Sequence, residues 1–131
     1  MPMDDQVKIE FETIDGRKYA VIYVVGILNL DTAAKVGEII ASTIPFDFDG
    51  NLIFDLRETD DQLDNEDADE VASLIFKKRF LMRNPVAIIA PEKEISRSRK
   101  LYQNTIEREG IVARHFPDKE AAIDWLKNPS Q

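Results

Sequence analysis

Three short, almost unbroken apolar runs constrain the fold of this chain more than any other feature of its sequence. They are RKYAVIYVV at Arg17 to Val25, NLIFDL at Asn51 to Leu56 and PVAIIA at Pro85 to Ala90. Such runs, bounded by Gly, Pro or polar residues, are typical of strands that are covered on both faces of a sheet. We therefore expect interior strands of a mostly parallel sheet.

Two further strands are predicted near the ends of the chain. Val7 to Thr13 alternates apolar and polar residues, which is the period of a half-buried strand, and Asp15-Gly16 supplies a hairpin turn after it. Ile111 to Phe116 is the last predicted strand. Gly26 is expected to end the strand that follows the hairpin.

Helical patterns separate the later strands. Asp31 is placed to cap a first helix with an apolar stripe at Ala33, Val36, Ile40 and Ile44. Further helices are predicted from about Glu66 to Met82, from Lys93 to Glu109 with Gly110 as its C-terminal stop, and after Pro117-Asp118. The predicted order is β-β-α-β-α-β-α-β-α, an α/β domain whose only antiparallel pair is the opening hairpin.

Size and charge limit the classes of protein to consider. A chain of 131 residues and 15.0 kDa suits a single domain over 1–131, with an ordered core at about 7–127. Its 17 Lys and Arg against 25 Asp and Glu leave a net charge of -8, which disfavours a nucleic-acid binder. Without cysteine, disulfides, thiolate metal sites and cysteine nucleophiles are excluded. No signal peptide or membrane-spanning run is recognisable, so a cytoplasmic protein is expected.

Several motifs follow one another in an order that is known from other proteins. The hairpin is followed by G-x-L-x-L-D-x-A at Gly26 to Ala33, and the third strand ends in Asp55-Leu56. The V-A-I-I-A-P strand, S-R-K-L-Y from Ser98 and the closing H-F-P-D-K-E-A-A-I-D-W-L from His115 come later. Over Val7 to Leu126 these motifs resemble the stand-alone bacterial STAS/CRAL-TRIO-like family, and the closing run is the most specific of them.

The resemblance implies a STAS-like fold with no catalytic machinery and no cofactor. It also implies two modes of action: phosphorylation-controlled protein docking, as in anti-sigma factor antagonists, or binding of lipophilic molecules, as in CRAL-TRIO domains. Antagonists of this family carry a phospho-accepting serine after the third strand. Residues 58–70 read ETDDQLDNEDADE here and contain no serine. A phosphorylation switch is therefore disfavoured, although an aspartate in that place would resemble a permanently charged site.

The acidic stretch has three interpretations of its own. Its eight acids are Glu58, Asp60, Asp61, Asp64, Glu66, Asp67, Asp69 and Glu70. One interpretation is a divalent-metal site, but the glycine and the ligand spacing of an EF-hand loop are missing. In an enzyme, such a cluster would hold Mg²⁺ or Mn²⁺ for phosphoryl chemistry. We favour a solvated helix start, where the helix dipole stabilises acids. The third interpretation is a loop that docks a protein regulator through Asp60, Asp61 and Asp64.

Two single residues invite catalytic interpretations that the surrounding sequence does not support. Asp55 ends a strand, as the phospho-accepting aspartate of a response-regulator receiver does, but the other residues of a receiver are missing. We predict that Asp55 is a structural carboxylate that accepts N–H bonds. His115, the sole histidine, can be grouped with Ser96, Ser98 and the aspartates into a nominal triad, but no G-x-S-x-G turn presents a nucleophile. We predict that His115 is packed or faces solvent.

The segment VASLIFKKRFLMR carries aromatic and basic residues within an acidic protein. On a helix, Phe76 and Phe80 fall outside the core stripe and next to Lys77, Arg79 and Arg83. Such a surface suits an anionic membrane, the lip of a lipophilic pocket or a homodimer seam. The alternative is that both phenylalanines are covered by the sheet and a neighbouring helix.

These patterns lead to two main functional hypotheses. The first is a non-enzymatic domain that binds a lipophilic molecule or an anionic membrane surface through Phe76, Phe80, Lys77, Arg79, Arg83 and Arg99. Arg99 belongs to a second basic run, Ser96 to Lys100, that is able to hold an anionic group or to remain solvated. The second hypothesis is a phosphorylation-independent protein-interaction module that uses Asp60, Asp61 and Asp64.

Overall fold

The computed structural model describes residues 6–45, 47–64, 66–70 and 84–129. Within these ranges the strands are β1 (Val7–Ile14), β2 (Arg17–Leu28), β3 (Asn51–Asp61), β4 (Val86–Ile89) and β5 (Ala113–Phe116). The helices are α1 (Leu30–Thr43), α2 (Ile95–Glu109) and α3 (Lys119–Lys127). Residues 66–70 are also helical, and the 3₁₀ turn Glu92–Glu94 precedes α2.

The five strands form one sheet in the order β1-β2-β3-β4-β5. The pair of β1 and β2 is antiparallel, and every later pair is parallel. Asp15 and Gly16 connect the hairpin with φ of 52° and 77°, the left-handed backbone that a two-residue turn of this kind requires. The prediction of a mostly parallel α/β sheet with an opening antiparallel hairpin is confirmed.

Helices cover both faces of the sheet because successive residues of β2 point in opposite directions. Ala20 and Ile22 lie in a core with buried side chains of α1 and α2, among them Val36, Ile40, Leu101 and Tyr102. Tyr19 and Val21 lie in the opposite core with Ala122 and Leu126 of α3. α1 and α2 therefore share one face, and α3 covers the other.

The start of α1 differs from the prediction. Asp31 is not the cap: Asn29 Oδ1 accepts a hydrogen bond of 3.0 Å from the backbone N–H of Thr32, and Thr32 Oγ1 accepts one of 2.8 Å from the backbone N–H of Asn29. This reciprocal capping box satisfies two backbone donors, whereas Asp31 lies in the first turn and contributes through the dipole. The end of α2 agrees with the prediction: Gly110 follows its last residue and adopts the left-handed conformation.

Several element boundaries also differ from the prediction. Gly26 does not end β2, which continues to Leu28, and β3 continues beyond Leu56 to Asp61. The register of these two strands shifts between Tyr23 and Val25, so the pair continues through an irregularity instead of ending there. Two starts also move: α2 begins at Ile95 and β5 at Ala113, each two residues later than predicted.

The predicted helix from Glu66 to Met82 is described only at its start, where residues 66–70 are helical. Residues 71–83 lie outside the described ranges. In the part of the chain that is described, no helix combines the length and the apolar character needed to cross a membrane.

Candidate functional site

The β2 and β3 strands extend together beyond the rest of the sheet. The register of β3 with β4 covers Leu52 to Asp55, and the register of β1 with β2 ends at Val24. Beyond these points β2 and β3 pair only with each other among the described strands. We name this extension, Val25–Leu28 with Glu58–Asp61, the ribbon.

One face of the ribbon presents apolar and acidic side chains to solvent. Val25 is the partner of Glu58 and Ile27 is the partner of Asp60, so all four side chains project from the same face. Val25 is 42% exposed and Ile27 is 49% exposed, and both carboxylates are exposed as well. We name this the outer face of the ribbon. It combines an apolar strip with two negative charges.

The opposite face of the ribbon is joined to the body of the protein. Leu28 is buried, and its strand partner Asp61 accepts a hydrogen bond of 2.9 Å from the hydroxyl of Tyr102 in α2. The other oxygen of Asp61 accepts one of 3.0 Å from the backbone N–H of Leu63. Burial, followed by the charge of Asp61, raises the pKa of Tyr102, so the phenol keeps its proton and remains a donor.

The structure gives the three predicted docking carboxylates different roles. Asp61 is bound as described above. Asp64 Oδ1 accepts a hydrogen bond of 2.8 Å from the backbone N–H of Asp67, which is the geometry of a helix cap. Asp60 lies on the outer face, where its carboxylate is exposed and accepts a 3.0 Å bond from the side chain of Gln62. Of the three carboxylates, Asp60 is therefore the one that projects from the outer face, whereas Asp61 and Asp64 stabilise the local structure.

A groove of about 410 Å³ lies at the foot of the outer face, lined by Tyr23, Val24, Val25, Asp55, Arg57 and Glu58. Arg57 forms a fork with the buried carboxylate of Asp55, at 3.0 Å from Nε to Oδ1 and 2.7 Å from Nη2 to Oδ2. The backbone N–H of Arg57 also donates to Asp55 at 3.2 Å, so the predicted structural role of Asp55 is confirmed. The hydrogen bond to Asp55 raises the pKa of Arg57, which keeps this wall of the groove charged and fixed.

Ser98 and His115 form a buried pair with 3.0 Å between Oγ and Nε2. Burial, followed by the charge of Arg99, lowers the pKa of His115 to about 4, so the imidazole is neutral near neutral pH. The cavity beside Ser98 measures about 40 Å³, which is the scale of a water molecule. Both side chains are more than nine-tenths buried, so the pair ties α2 to β5. Ser96, the other serine considered for a triad, is exposed.

The remaining predicted site residues are in two situations. Arg99 is exposed on α2. Arg97, two residues earlier in the same basic run, donates a hydrogen bond of 3.1 Å to the carbonyl of Leu63. The other five predicted ligand-binding or membrane-binding residues lie outside the described ranges: Phe76, Lys77, Phe80, Arg79 and Arg83. Among the described residues, which include all eight acids of 58–70, no group of three potential ligands is placed to hold a metal ion.

Val25 and Ile27 are site residues that the sequence analysis missed. Val25 belongs to an apolar run that favours burial, and Ile27 follows a glycine that is expected to end the strand. A glycine inside a strand pattern is a recognised sign of a bulge, and that sign at Gly26 was available in the sequence.

Comparison with known proteins gives the fold a precedent. No family model matches the chain, and no curated protein does. Among solved structures, the chain is similar to an uncharacterised protein from the DUF3478 family with a SpoIIAA-like fold from Shewanella loihica PV-4. The TM-score is 0.66 and the identity 20%, over 96% of this chain and 98% of that chain.

A second similar structure is an anti-sigma factor antagonist from Mycobacterium paratuberculosis. The TM-score is 0.60 and the identity 15%, over 98% of this chain and 100% of that chain. At such identities the likeness establishes the architecture alone. The five-stranded sheet, its opening hairpin and the agreement over nearly the whole of each chain lead to one conclusion: this protein has the SpoIIAA-like, or STAS-like, fold.

Proposed function

We propose that this protein is a non-enzymatic regulatory module that docks a partner protein on the outer face of the ribbon. The observation that carries the proposal is the pairing of exposed Val25 and Ile27 with exposed Glu58 and Asp60. Apolar side chains that lie together at the surface favour a binding role over a structural one. The similarity to an anti-sigma factor antagonist, a protein that acts on another protein, supports the same class of function.

The chemistry of the outer face indicates the chemistry of the partner. Two exposed carboxylates next to an apolar strip suit a segment in which Lys or Arg side chains alternate with apolar ones. The groove at the foot of this face offers room for a side chain from that segment, with Arg57 held in place by Asp55. The net charge of -8 adds long-range attraction for a basic partner.

In this proposal the docking carboxylates are Glu58 and Asp60, and no longer Asp60, Asp61 and Asp64. Asp61 and Asp64 hold the ribbon and the following helix in place, so we expect them to affect stability more than binding. Asp60 and Glu58 are the carboxylates that a partner reaches. The hypothesis of lipid or membrane binding rests on Phe76 and Phe80, which lie outside the described residues, and it stays a prediction.

The proposal is tested by quantitative co-purification from lysate of the native host with a charge-reversed outer face. The variant Glu58→Lys with Asp60→Lys is compared with Glu38→Lys and Asp47→Lys, which change the net charge equally at exposed sites on α1 and in the turn after it. We expect one partner to be lost from the ribbon variant and retained by the control. Equal retention by both variants, or equal loss, contradicts the proposal.

An apolar substitution provides the second arm of the same experiment. Ile27→Ser removes part of the apolar strip, whereas Val112→Ser removes a side chain of similar exposure, 55%, just before β5. Loss of the same partner with Ile27→Ser alone is expected. A partner that is lost with both substitutions, or with neither, argues against docking on the ribbon.

A further inference from the structure

The strand β1 forms one edge of the sheet, and its outer side carries no other strand among the described residues. It pairs with β2 in a regular register over all eight residues, without a bulge or a proline. Edge strands of this length are normally interrupted, shortened or covered, because their free backbone groups pair readily with another strand. An unbroken edge is therefore suited to pairing.

The register of the hairpin determines which backbone groups face outward. The carbonyl of Gln6 accepts a hydrogen bond of 2.8 Å from the N–H of Val25, so the backbone groups of Gln6 point toward β2. In an antiparallel pair, alternate residues turn their N–H and C=O groups to the same side. Lys8 and Glu10 therefore bond to β2, whereas Val7, Ile9 and Phe11 direct their backbone groups to the open edge.

We propose that this edge pairs with β1 of a second copy of the chain, antiparallel and centred on Ile9, to give one continuous sheet. In this register Ile9 lies opposite Ile9 of the second copy, and Val7 lies opposite Phe11. All of these residues have outward backbone groups, so they form the hydrogen-bonded pairs of the new ladder. Between these pairs, Lys8 lies opposite Glu10 of the second copy. By the two-fold symmetry of the dimer, Glu10 likewise lies opposite Lys8 of the second copy.

The charged side chains of β1 favour this register over those centred on Glu10 or Phe11. Centring the pair on Glu10 places two Glu10 carboxylates opposite each other, alongside two pairs of Lys8 with Glu12. Centring it on Phe11 places Glu10 opposite Glu12 of the second copy, whose carboxylate is also bound by Lys119 of its own chain at 2.7 Å. Directly opposed like charges destabilise a strand pair, whereas opposite charges stabilise it. The register centred on Ile9 has two opposite-charge pairs and no like-charge pair between Val7 and Phe11.

The apolar side chains add a second argument for a second copy as the occupant. Phe11 is 52% exposed although it packs edge-on against Phe48, with 5.7 Å between the ring centroids. In the proposed register, Val7 and Phe11 of the two copies lie on the same face of the joined sheet as Ile9. Pairing therefore covers part of the exposed aromatic ring as well as the open backbone.

The test is sedimentation equilibrium of the full chain and of charge variants in β1. The wild-type protein is expected to dimerise. Lys8→Glu and Glu10→Lys each create two like-charge pairs in the self-dimer, and each is expected to raise the dissociation constant on the order of tenfold. The double variant, and an equal mixture of the two single variants, restore opposite charges at both positions, so both are expected to recover dimerisation.

The controls make each result decisive. The Lys8 and Glu10 side chains are 67% and 43% exposed, and they form an ion pair of 3.4 Å within the strand. An exposed ion pair contributes little to stability, so each single change is expected to leave the folded structure intact, and circular dichroism checks this. Glu58→Lys on the ribbon is expected to leave dimerisation unchanged, which separates this inference from the proposed function. A wild-type monomer, or a dimer that none of the β1 variants weakens, overturns the proposal. Failure of the mixed variants to recover overturns the register.

Discussion

The hydroxyl of Tyr102 donates a hydrogen bond of 2.9 Å to Asp61, which joins the middle of α2 to the last residue of β3. This bond fixes the inner side of the ribbon, so the outer face is held without using its own side chains. Tyr102→Phe removes the donor and leaves Asp61 with the N–H of Leu63. We expect a loss of about 1 kcal/mol in the free energy of unfolding, measured by urea denaturation.

The same variant separates stability from binding. Because Tyr102 is buried on the face opposite to the ribbon's exposed residues, partner retention by folded Tyr102→Phe protein is expected to match the wild type. If Tyr102→Phe is as stable as the wild type, the hydrogen bond between Tyr102 and Asp61 makes no net contribution to the free energy of unfolding. Loss of the partner from folded protein argues that the inner face takes part in docking.

Asp64 is expected to act as a helix cap. Asp64→Ala leaves the N–H of Asp67 without its acceptor, and we expect the free energy of unfolding to fall by about 1 kcal/mol. Asp64→Ser keeps an oxygen acceptor and is expected to restore most of that loss. Urea denaturation of both variants checks this prediction, and equal stability of the alanine and serine variants contradicts it.

His115 is expected to make stability dependent on pH. Its pKa in the folded protein is lowered from 6.5 to about 4, so below 6.5 the unfolded chain binds a proton that the folded chain does not. Stability is therefore complete above that value and falls as the pH drops toward 4. Between about pH 7.5 and about pH 5 we expect a loss on the order of 2 kcal/mol from this group.

The control for this prediction is His115→Gln, which keeps a polar side chain opposite Ser98 and removes the titration. Urea denaturation at the two pH values is expected to show a smaller loss in the variant than in the wild type. An identical loss in both proteins assigns the pH dependence to other groups and contradicts the predicted role of His115.

The aromatic and basic surface that the sequence predicts at residues 76–83 gives a test that is independent of the ribbon. Phe76→Ser with Phe80→Ser removes the apolar part of the surface and leaves Lys77, Arg79 and Arg83 in place. If the surface binds membranes, the wild type sediments with anionic phospholipid vesicles and the double variant does not, because apolar insertion is lost. No sedimentation of the wild type, or equal sedimentation of both proteins, contradicts the membrane hypothesis.

The fold was largely predictable from the sequence because local signals agreed with the sheet. The turn at Asp15-Gly16, the apolar runs and the left-handed stop at Gly110 each correspond to an observed feature. One wrong prediction falls where two nearby residues are both suited to the same role, at the start of α1. Asn29 and Thr32 form a reciprocal cap, which a prediction based on Asp31 alone does not detect.

The candidate site was less predictable because it depends on where a strand pair ends. The acids of 58–61 are typical of a loop in sequence, yet pairing with β2 holds them in a strand and turns Glu58 and Asp60 to one face. Likewise, an isolated sequence pattern cannot show that Asp61 meets Tyr102 across 41 positions of chain. The sequence draws attention to Ser98 and His115, but their pairing within the core depends on the packing of α2 on β5.

Site-specific photo-cross-linking in the native host tests the central proposal most directly. A photoreactive phenylalanine analogue replaces Ile27 on the outer face in one protein and Val112, of similar exposure, in the other. We expect a discrete cross-linked protein partner from position 27, absent from position 112 and lost when Glu58→Lys and Asp60→Lys are added. No cross-link at position 27, or the same products from both positions, would contradict docking on the ribbon.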